Sequence, residues 1–242
     1  MLEKLRTLIV TLLWWAVLLL DAFIFALLLV FLPDRFRNGI ALRTSSVLLL
    51  KAAGVKVRVK GLDNVLKEKP QIFVANHVSW FDSFVLCSVL PVAVTFASKK
   101  EMFRVPVYNY IMRRLHFICV DRERVRDAVS SIENAAGIFD SGLSLVVFPE
   151  GTTSKTGELG SFKRGAVLLA ARAQVPIVPV AVINTRKIKF RGSPLIHYGV
   201  QTEVRISEPV EAYSMDRQNQ QNTVKSIKAE MEMNLKDVPD AQ

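Results

Sequence analysis

Cysteine is nearly absent from this 242-residue chain, which holds only Cys87 and Cys119, each inside an apolar run. Two such residues build no disulfide framework and fit a reducing compartment. A free cysteine in that setting is more often a small core hydrophobe than a nucleophile. Histidine is almost as scarce, with three copies, and the His and Cys residues lack ligand spacing, so no zinc site is expected. No Gly-x-Ser-x-Gly elbow occurs, which removes the usual mark of an α/β serine hydrolase. No internal repeat and no low-complexity linker divides the chain. Acidic side chains are the minority, 22 against 32 Lys and Arg, and the net charge is +10 with a pI near 9.8. Such a balance favours an anionic partner. The basic residues are dispersed and have no aromatic-basic strand motif beside them, so no nucleic-acid partner is expected, and an anionic membrane surface fits better.

The hydrophobic composition is unevenly spread, and its densest run is Leu8–Leu32. That segment is about the length of one bilayer crossing, which needs roughly 20 apolar residues. It is too long for a signal peptide, and Leu32-Pro33-Asp34 offers no small-residue cleavage pattern. Asp21 lies near its middle, where a charge costs about 2.5–3.5 kcal/mol on insertion scales. Basic residues flank both ends: Lys4 and Arg6 before, Arg35, Arg37 and Arg43 after. The positive-inside bias then keeps both ends on the cytoplasmic side. Pro33 is expected to end the first helix, and Arg35–Ala53 reads as a second. Residues 1–53 are therefore expected to form an apolar helical hairpin seated in one leaflet at the cytoplasmic face of the cell membrane. A plain one-pass anchor, with Asp21 against a neighbouring helix, is the other arrangement that fits.

From Gly54 the pattern is that of a folded domain over residues 54–242. Val55–Lys60 alternates strictly, as a half-exposed strand does. Apolar runs at Gln71–Ala75, Val92–Ala97, Phe117–Val120, Leu143–Phe148, Ile177–Ile183 and Glu203–Ile206 read as strands. Ser79–Leu90, Met102–Leu115, Val125–Phe139, Phe162–Ala173 and Asp216–Leu235 read as helices. Strands alternating with helices predict an α/β fold: a mixed, largely parallel sheet covered by helices on both faces.

The chemistry concentrates in short segments at strand ends. In Asn76-His77-Val78-Ser79-Trp80-Phe81-Asp82, a histidine and a carboxylate stand five residues apart at a strand-to-helix turn. On one ideal helix they would point about 140° apart, so they meet only if His77 lies in the turn and Asp82 in the first helical turn. There the aspartate can fix the imidazole tautomer while the other ring nitrogen takes a proton from a hydroxyl. The same spacing suits a plain capped helix, with Ser79 at the N-cap and Asp82 three residues on. Phe148-Pro149-Glu150-Gly151-Thr152-Thr153-Ser154 follows a buried strand, at the edge where ligands gather in open α/β sheets. A solvated turn would use the same residue types. Phe162-Lys163-Arg164-Gly165 opens a helix, where free N–H groups and two cations suit an anion, although surface charge is the commoner fate of such a pair. Lys99 and Arg122 each follow an apolar strand and are directed to the same rim.

In this order, these segments resemble the glycerophospholipid acyltransferases, and within them the bacterial 1-acyl-glycerol-3-phosphate acyltransferases. Asn76–Asp82 looks like that family's N-H-x4-D block. Lys99-Lys100-Glu101-Met102, Pro106 and Phe117–Arg122 look like its second block, Phe148–Thr152 its third and Val175–Val180 its fourth. The match covers roughly Gly54–Pro209. The resemblance implies transfer of a fatty acyl group from acyl-CoA or acyl-carrier protein to the hydroxyl of lysophosphatidic acid, a step of phospholipid biosynthesis that needs no cofactor. His77 would be the general base and Asp82 its orienting group. Lys99 and Arg122 would bind the acceptor phosphate, Glu150 with Gly151 would position the acceptor, and Thr152 would bind substrate, as would Lys163, which, or else Arg164, would compensate for the cation missing at position 153. The family commonly carries arginine where this chain has Thr153. That departure keeps a second acceptor class open, a lysolipid such as lyso-ornithine lipid or lysophosphatidylcholine.

Overall fold

The computed structural model describes residues 2–33, 36–120 and 137–236. Its first element, α1 (Leu2–Phe31), stops just before Pro33, and after a π-helical turn at Arg37–Ala41 the chain enters α2 (Leu42–Ala52). The two expected N-terminal helices are therefore present, the second preceded by a turn widened to π-helical form. Then come β1 (Lys56–Lys60), β2 (Ile72–Ala75), α3 (Phe81–Val89), β3 (Val94–Lys99), α4 (Pro106–Arg114) and β4 (Ile118–Val120). The chain continues through β5 (Ser144–Val147), α5 (Gly165–Ala173), β6 (Ile177–Ile183), the short α6 (Thr185–Ile188), β7 (Gln201–Ile206) and α7 (Arg217–Lys236). The expected helix Val125–Phe139 and the residue Arg122 fall mainly or wholly outside the described residues.

The seven strands form one sheet in the order β1-β7-β6-β2-β5-β3-β4. From β6 to β4 every neighbouring pair is parallel, whereas β7 runs antiparallel to β6 and carries β1 parallel to itself. The sheet is thus mixed and largely parallel. In the middle, β2 and β6 are buried at every position, which is why their sequences read as continuous apolar runs. At the edge, β1 alternates exposed and half-buried residues, and its lysines meet water and discourage a further strand from pairing.

The pleat divides the core in two. Phe73 and Ala75 of β2, with Val178, Val180 and Val182 of β6, face α2, α3 and Trp14 of α1. Ile72, Val74 and Ile177 face Ala166, Val167, Leu169 and Ala170 of α5 and Ile227 and Met231 of α7. Helices cover both faces, as the alternation of elements required. Two helices start later than sequence patterning suggests. The Met102–Leu115 segment breaks into a 3-10 turn, Lys100–Arg104, and α4, because Pro106 at the first helical position has no N–H to continue an earlier helix. Likewise, Phe162–Arg164 is irregular and α5 begins at Gly165.

The hairpin does not project from the domain. Trp14 is buried against Phe81 of α3, with ring centroids 5.1 Å apart, and its Nε1 donates to the Leu49 carbonyl at 2.9 Å. Asn38, in the bend, donates to the carbonyls of both Val94 and Leu115 at 3.0 and 2.7 Å. Arg114 of α4 reaches the Leu29 and Val30 carbonyls at the far end of α1.

Candidate active site

Because β6, β2, β5, β3 and β4 run in one direction, their carboxyl ends share one rim, the edge where α/β proteins bind ligands. At the end of β2, Asn76 continues the sheet with its side chain. Its amide donates to the Val182 carbonyl at 2.9 Å and accepts the Val182 N–H at 2.7 Å, so a buried side chain takes the part of a strand residue. The next residue is thereby held at a defined height. The His77 N–H donates to Glu150 Oε1 at 3.0 Å, and the His77 carbonyl accepts the Ser154 N–H at 2.7 Å. Its ring stacks on Phe148, centroids 4.1 Å apart and 17° from coplanar, and Phe148 stacks in turn on Phe96.

This clamp turns Nδ1 of His77 toward Asp82 Oδ2, 2.9 Å away. Asp82 is fully buried, and a buried carboxylate is tolerated only when its oxygens are well supplied with donors. Here Oδ2 also accepts the N–H groups of Val78 and Ser79 at 2.7 and 2.8 Å, while Oδ1 accepts the Thr185 hydroxyl. A carboxylate next to Nδ1 keeps the proton there, so the lone pair belongs to Nε2. The His77 side chain is 18% exposed, so the ring is not sealed from solvent. The two readings of Asp82 therefore merge. The carboxylate satisfies the free N–H groups ahead of α3 and orients the base with the same oxygen. Ser79 caps poorly: its hydroxyl lies 3.4 Å from the Phe81 N–H and donates to the Lys189 carbonyl at 3.3 Å. It is also directed to Lys189 and not to the imidazole.

Glu150 uses both oxygens on backbone N–H groups, Oε1 on His77 and Oε2 on Gly160 at 3.1 Å. It ties the end of β2 to the loop that follows β5. Gly151, with φ +74°, makes the left-handed turn that lets this loop double back. The loop is strapped from the other side by residues after β6. Arg186 donates to the carbonyls of Lys155 and Thr156, and Arg191 to that of Thr153. At Gly157, with φ +94°, an added Cβ would stand 2.7 Å from the Arg186 guanidinium, so the strap needs glycine there. Nearby, the Lys189 ammonium lies 4.8 Å from the Trp80 ring centroid, and burial holds its amine below the ordinary lysine range.

The remaining residues singled out from sequence lie along the same rim. Lys99 is the last residue of β3, opposite Val120, and is exposed. Thr152 lies exposed in the loop after β5. Lys163 gives its N–H to the Pro149 carbonyl at 3.0 Å and leaves its side chain in solvent. Among the described residues none of these three hydrogen-bonds the His77–Asp82 pair. Three contributors had no assigned role in the sequence reading. Asn76 is local to the motif, but its partner is 106 residues away. Thr185 carried only the weak signal of a polar residue just beyond a fully apolar strand, and Phe148 looked like part of its strand.

The site thus sets an imidazole, held by a buried carboxylate, at the carboxyl rim of a mixed, largely parallel α/β sheet. Residues 56–183 match the family model described as Acyltransferase, and the chain belongs to that family. A 1-acyl-sn-glycerol-3-phosphate acyltransferase of Saccharomyces cerevisiae is 31% identical over 188 residues, covering 76% of this chain and 61% of that protein. One from Borreliella burgdorferi is 24% identical over 199 residues, covering 82% and 79%. The chain spans about half the length of the plant relatives it matches, as with the 45% of a chloroplastic Arabidopsis thaliana protein. The fold is that of the 1-acyl-sn-glycerophosphate acyltransferase PlsC from Thermotoga maritima, with a TM-score of 0.81 at 23% identity, covering 99% of this chain and 100% of that one.

Proposed function

We propose that this protein transfers a fatty acyl group from an acyl thioester, acyl-CoA or acyl-carrier protein, to the free hydroxyl of lysophosphatidic acid, giving phosphatidic acid. The observation that carries the proposal is the His77–Asp82 pair, with Nδ1 engaged at 2.9 Å on a ring that is partly exposed. Nε2 takes the acceptor hydroxyl proton as its oxygen attacks the thioester carbonyl. The tetrahedral intermediate collapses by breaking the carbon–sulfur bond, and the imidazolium returns the proton to the departing thiolate. Asp82 stabilises that imidazolium without itself being protonated. The thioester is already activated, so alignment and proton removal can supply much of the rate, and no acyl-enzyme is needed.

Lys99 and Arg122 are the cations for the acceptor phosphate on this reading. Glu150 acts by positioning His77 and the 151–160 loop. Thr153 favours the second acceptor class, a lysolipid without a bare phosphate, because a hydroxyl gives that position no bidentate cation.

The reaction belongs at the cytoplasmic face of the membrane. α1 is long and apolar enough to cross a bilayer, and its outer face is largely exposed. It is about 45 Å long at a rise of 1.5 Å per residue, and contacts at Trp14, at the bend and at Leu29 tie it along the domain. A helix fastened sideways in this manner supports insertion into one leaflet over a crossing. Asp21 then accepts a hydrogen bond from Ser45 at 2.5 Å within the hairpin.

The test is acyl transfer by purified protein to a panel of lysolipids, with wild type beside His77→Ala. The expected result is transfer to lysophosphatidic acid that His77→Ala abolishes. Activity surviving the substitution removes His77 as the base. Preference for lyso-ornithine lipid or lysophosphatidylcholine overturns the lysophosphatidic acid assignment in favour of the second class.

A further inference from the structure

We infer that residues 99–114, the 3-10 turn and α4, form a second membrane contact that docks on anionic lipid headgroups beside the N-terminal hairpin. This rests on the reading that α1 beds in a bilayer. α4 already has a core side, with Met112 buried and Leu115 beyond it packed on Phe25 and Leu29 of α1. Yet the segment leaves apolar side chains in water: Val107 and Tyr110, 58 and 39% exposed, form a strip turned away from Met112, and Val105 and Tyr108, on the Met112 side, are still 46 and 45% exposed. Apolar side chains gathered in one short segment and left in water point to an interaction surface.

Its neighbours specify the partner. Val107 and Tyr110 lie three residues apart, and Arg114, next on that face, donates to the Leu29 and Val30 carbonyls. The strip therefore continues the lipid-facing side of α1, where Leu27, Val30 and Phe31 are exposed. The segment also carries five cations, Lys99, Lys100, Arg104, Arg113 and Arg114, against the single carboxylate of Glu101. Tyrosine with short aliphatic residues and a basic fringe is the composition of the membrane interface, where each Lys or Arg near an anionic leaflet strengthens binding. The consequence reaches the site: Lys99 ends β3 at the start of this segment, so docking sets it at headgroup depth, where a lysolipid headgroup is met.

The experiment uses the full chain with Cys119→Ser, since Cys119 is exposed and Cys87 is buried, its thiol pushed up to about 12 by burial. Single cysteines replacing Tyr108, Leu27 of α1 and, as a control, Met233 of α7 are labelled with an environment-sensitive fluorophore. Each is mixed with phosphatidylcholine vesicles with or without phosphatidylglycerol, and with brominated lipid as quencher. The expected result is a blue shift and quenching at positions 108 and 27, the former dependent on phosphatidylglycerol, and neither at position 233. Val107→Asp is expected to abolish the shift at 108 and to raise the apparent KM for bilayer-borne acceptor about tenfold, the loss of one Val side chain from an apolar phase. A label at 108 that stays water-like while that at 27 is quenched overturns the proposal. So does a label at 108 that responds only to acidic acyl-carrier protein. The fluorescence readout needs no catalysis, so its failure is separable from failure of the acyl-transfer reading.

Discussion

The substitution Asp82→Asn isolates the charge that orients His77 from the geometry it imposes. In the native protein one oxygen of Asp82 accepts three N–H groups, from His77, Val78 and Ser79, and the other accepts the Thr185 hydroxyl. An asparagine can keep this pattern in only one orientation. Its oxygen must face the three donors, and its amide nitrogen must face Thr185, whose hydroxyl can rotate to accept. The imidazole then keeps its tautomer and position, and only the negative charge beside the imidazolium is lost. Charges about 4 Å apart interact by about 4 kcal/mol at the effective dielectric suited to such sites, and each 1.36 kcal/mol is a factor of ten in rate. The expected loss in kcat is therefore about a thousandfold, with KM for both substrates unchanged. Weakening three charge-assisted hydrogen bonds to neutral ones removes about 1–2 kcal/mol of stability, a fall in Tm of about 2–8 °C for a chain of this size. The assay is single-substrate kinetics by thiol release beside a thermal melt. A variant that folds with this small Tm shift yet loses less than tenfold in kcat would show that the carboxylate acts as a helix cap alone.

Two further substitutions test neighbouring parts of the argument. Thr185→Val strips Oδ1 of its donor and is expected to lower kcat about tenfold at constant KM, as removal of one hydrogen bond to a charged group does, with Thr185→Ser restoring it. Equal rates in Thr185→Val and wild type would remove Thr185 from the site. On the far edge of the sheet, burial alone would raise the Glu203 carboxyl. Hydrogen bonds from Arg205 at 2.6 Å and Lys60 at 3.1 Å outweigh it and hold the group below its ordinary value of 4.5. A depressed carboxyl contributes stability above its unfolded pKa and loses it as pH falls through the folded one. Lys60 is largely exposed and adds little, so the Arg205 pair dominates. Glu203→Gln should be less stable than wild type by about 1 kcal/mol at pH 7, with the gap closing as pH falls below the ordinary value of 4.5 and through the depressed folded value in denaturant titrations. A gap that does not change with pH would show that the pair contributes through shape and not charge.

Much of the fold is legible because its middle strands are buried on both sides. Ile177–Ile183 reads as an uninterrupted apolar run and is a strand over those same residues. At β1 the strict alternation of Val and basic residues identified a half-exposed strand, and the structure places it at the sheet edge. Strand direction was legible only in part. The alternation of helices and strands implied parallel neighbours, but nothing local to Gln201–Ile206 records that it turns back beside β6, since direction is set by the connection through 184–200. The bend of the hairpin shows the same limit. Pro33 announces where α1 stops, whereas the π-helical turn depends on Asn38 reaching two carbonyls, 56 and 77 residues further on.

The site was legible to the extent that its chemistry is local. His77 and Asp82 are five residues apart, and spacing alone could not separate a base with its orienting group from a capped helix. The structure shows why: the two require the same oxygen position. A carboxylate in the first turn of α3 that reaches back to the N–H groups of Val78 and Ser79 occupies the spot that an imidazole folded over that turn would face. What decides whether the imidazole folds there lies elsewhere in the chain. Phe148 supplies the stacking surface from the end of β5, Glu150 holds the His77 N–H, and Asn76 is locked to Val182 on β6. These three contacts come from strands on both sides of β2, so they exist only once the parallel sheet has formed. A local sequence window contains the base and the orienting group but not the clamp that brings them into register. The same argument assigns Glu150 its part. With both oxygens on backbone N–H groups, it influences chemistry through the placement of His77, and its loss would disorder the base before it disturbed any substrate contact.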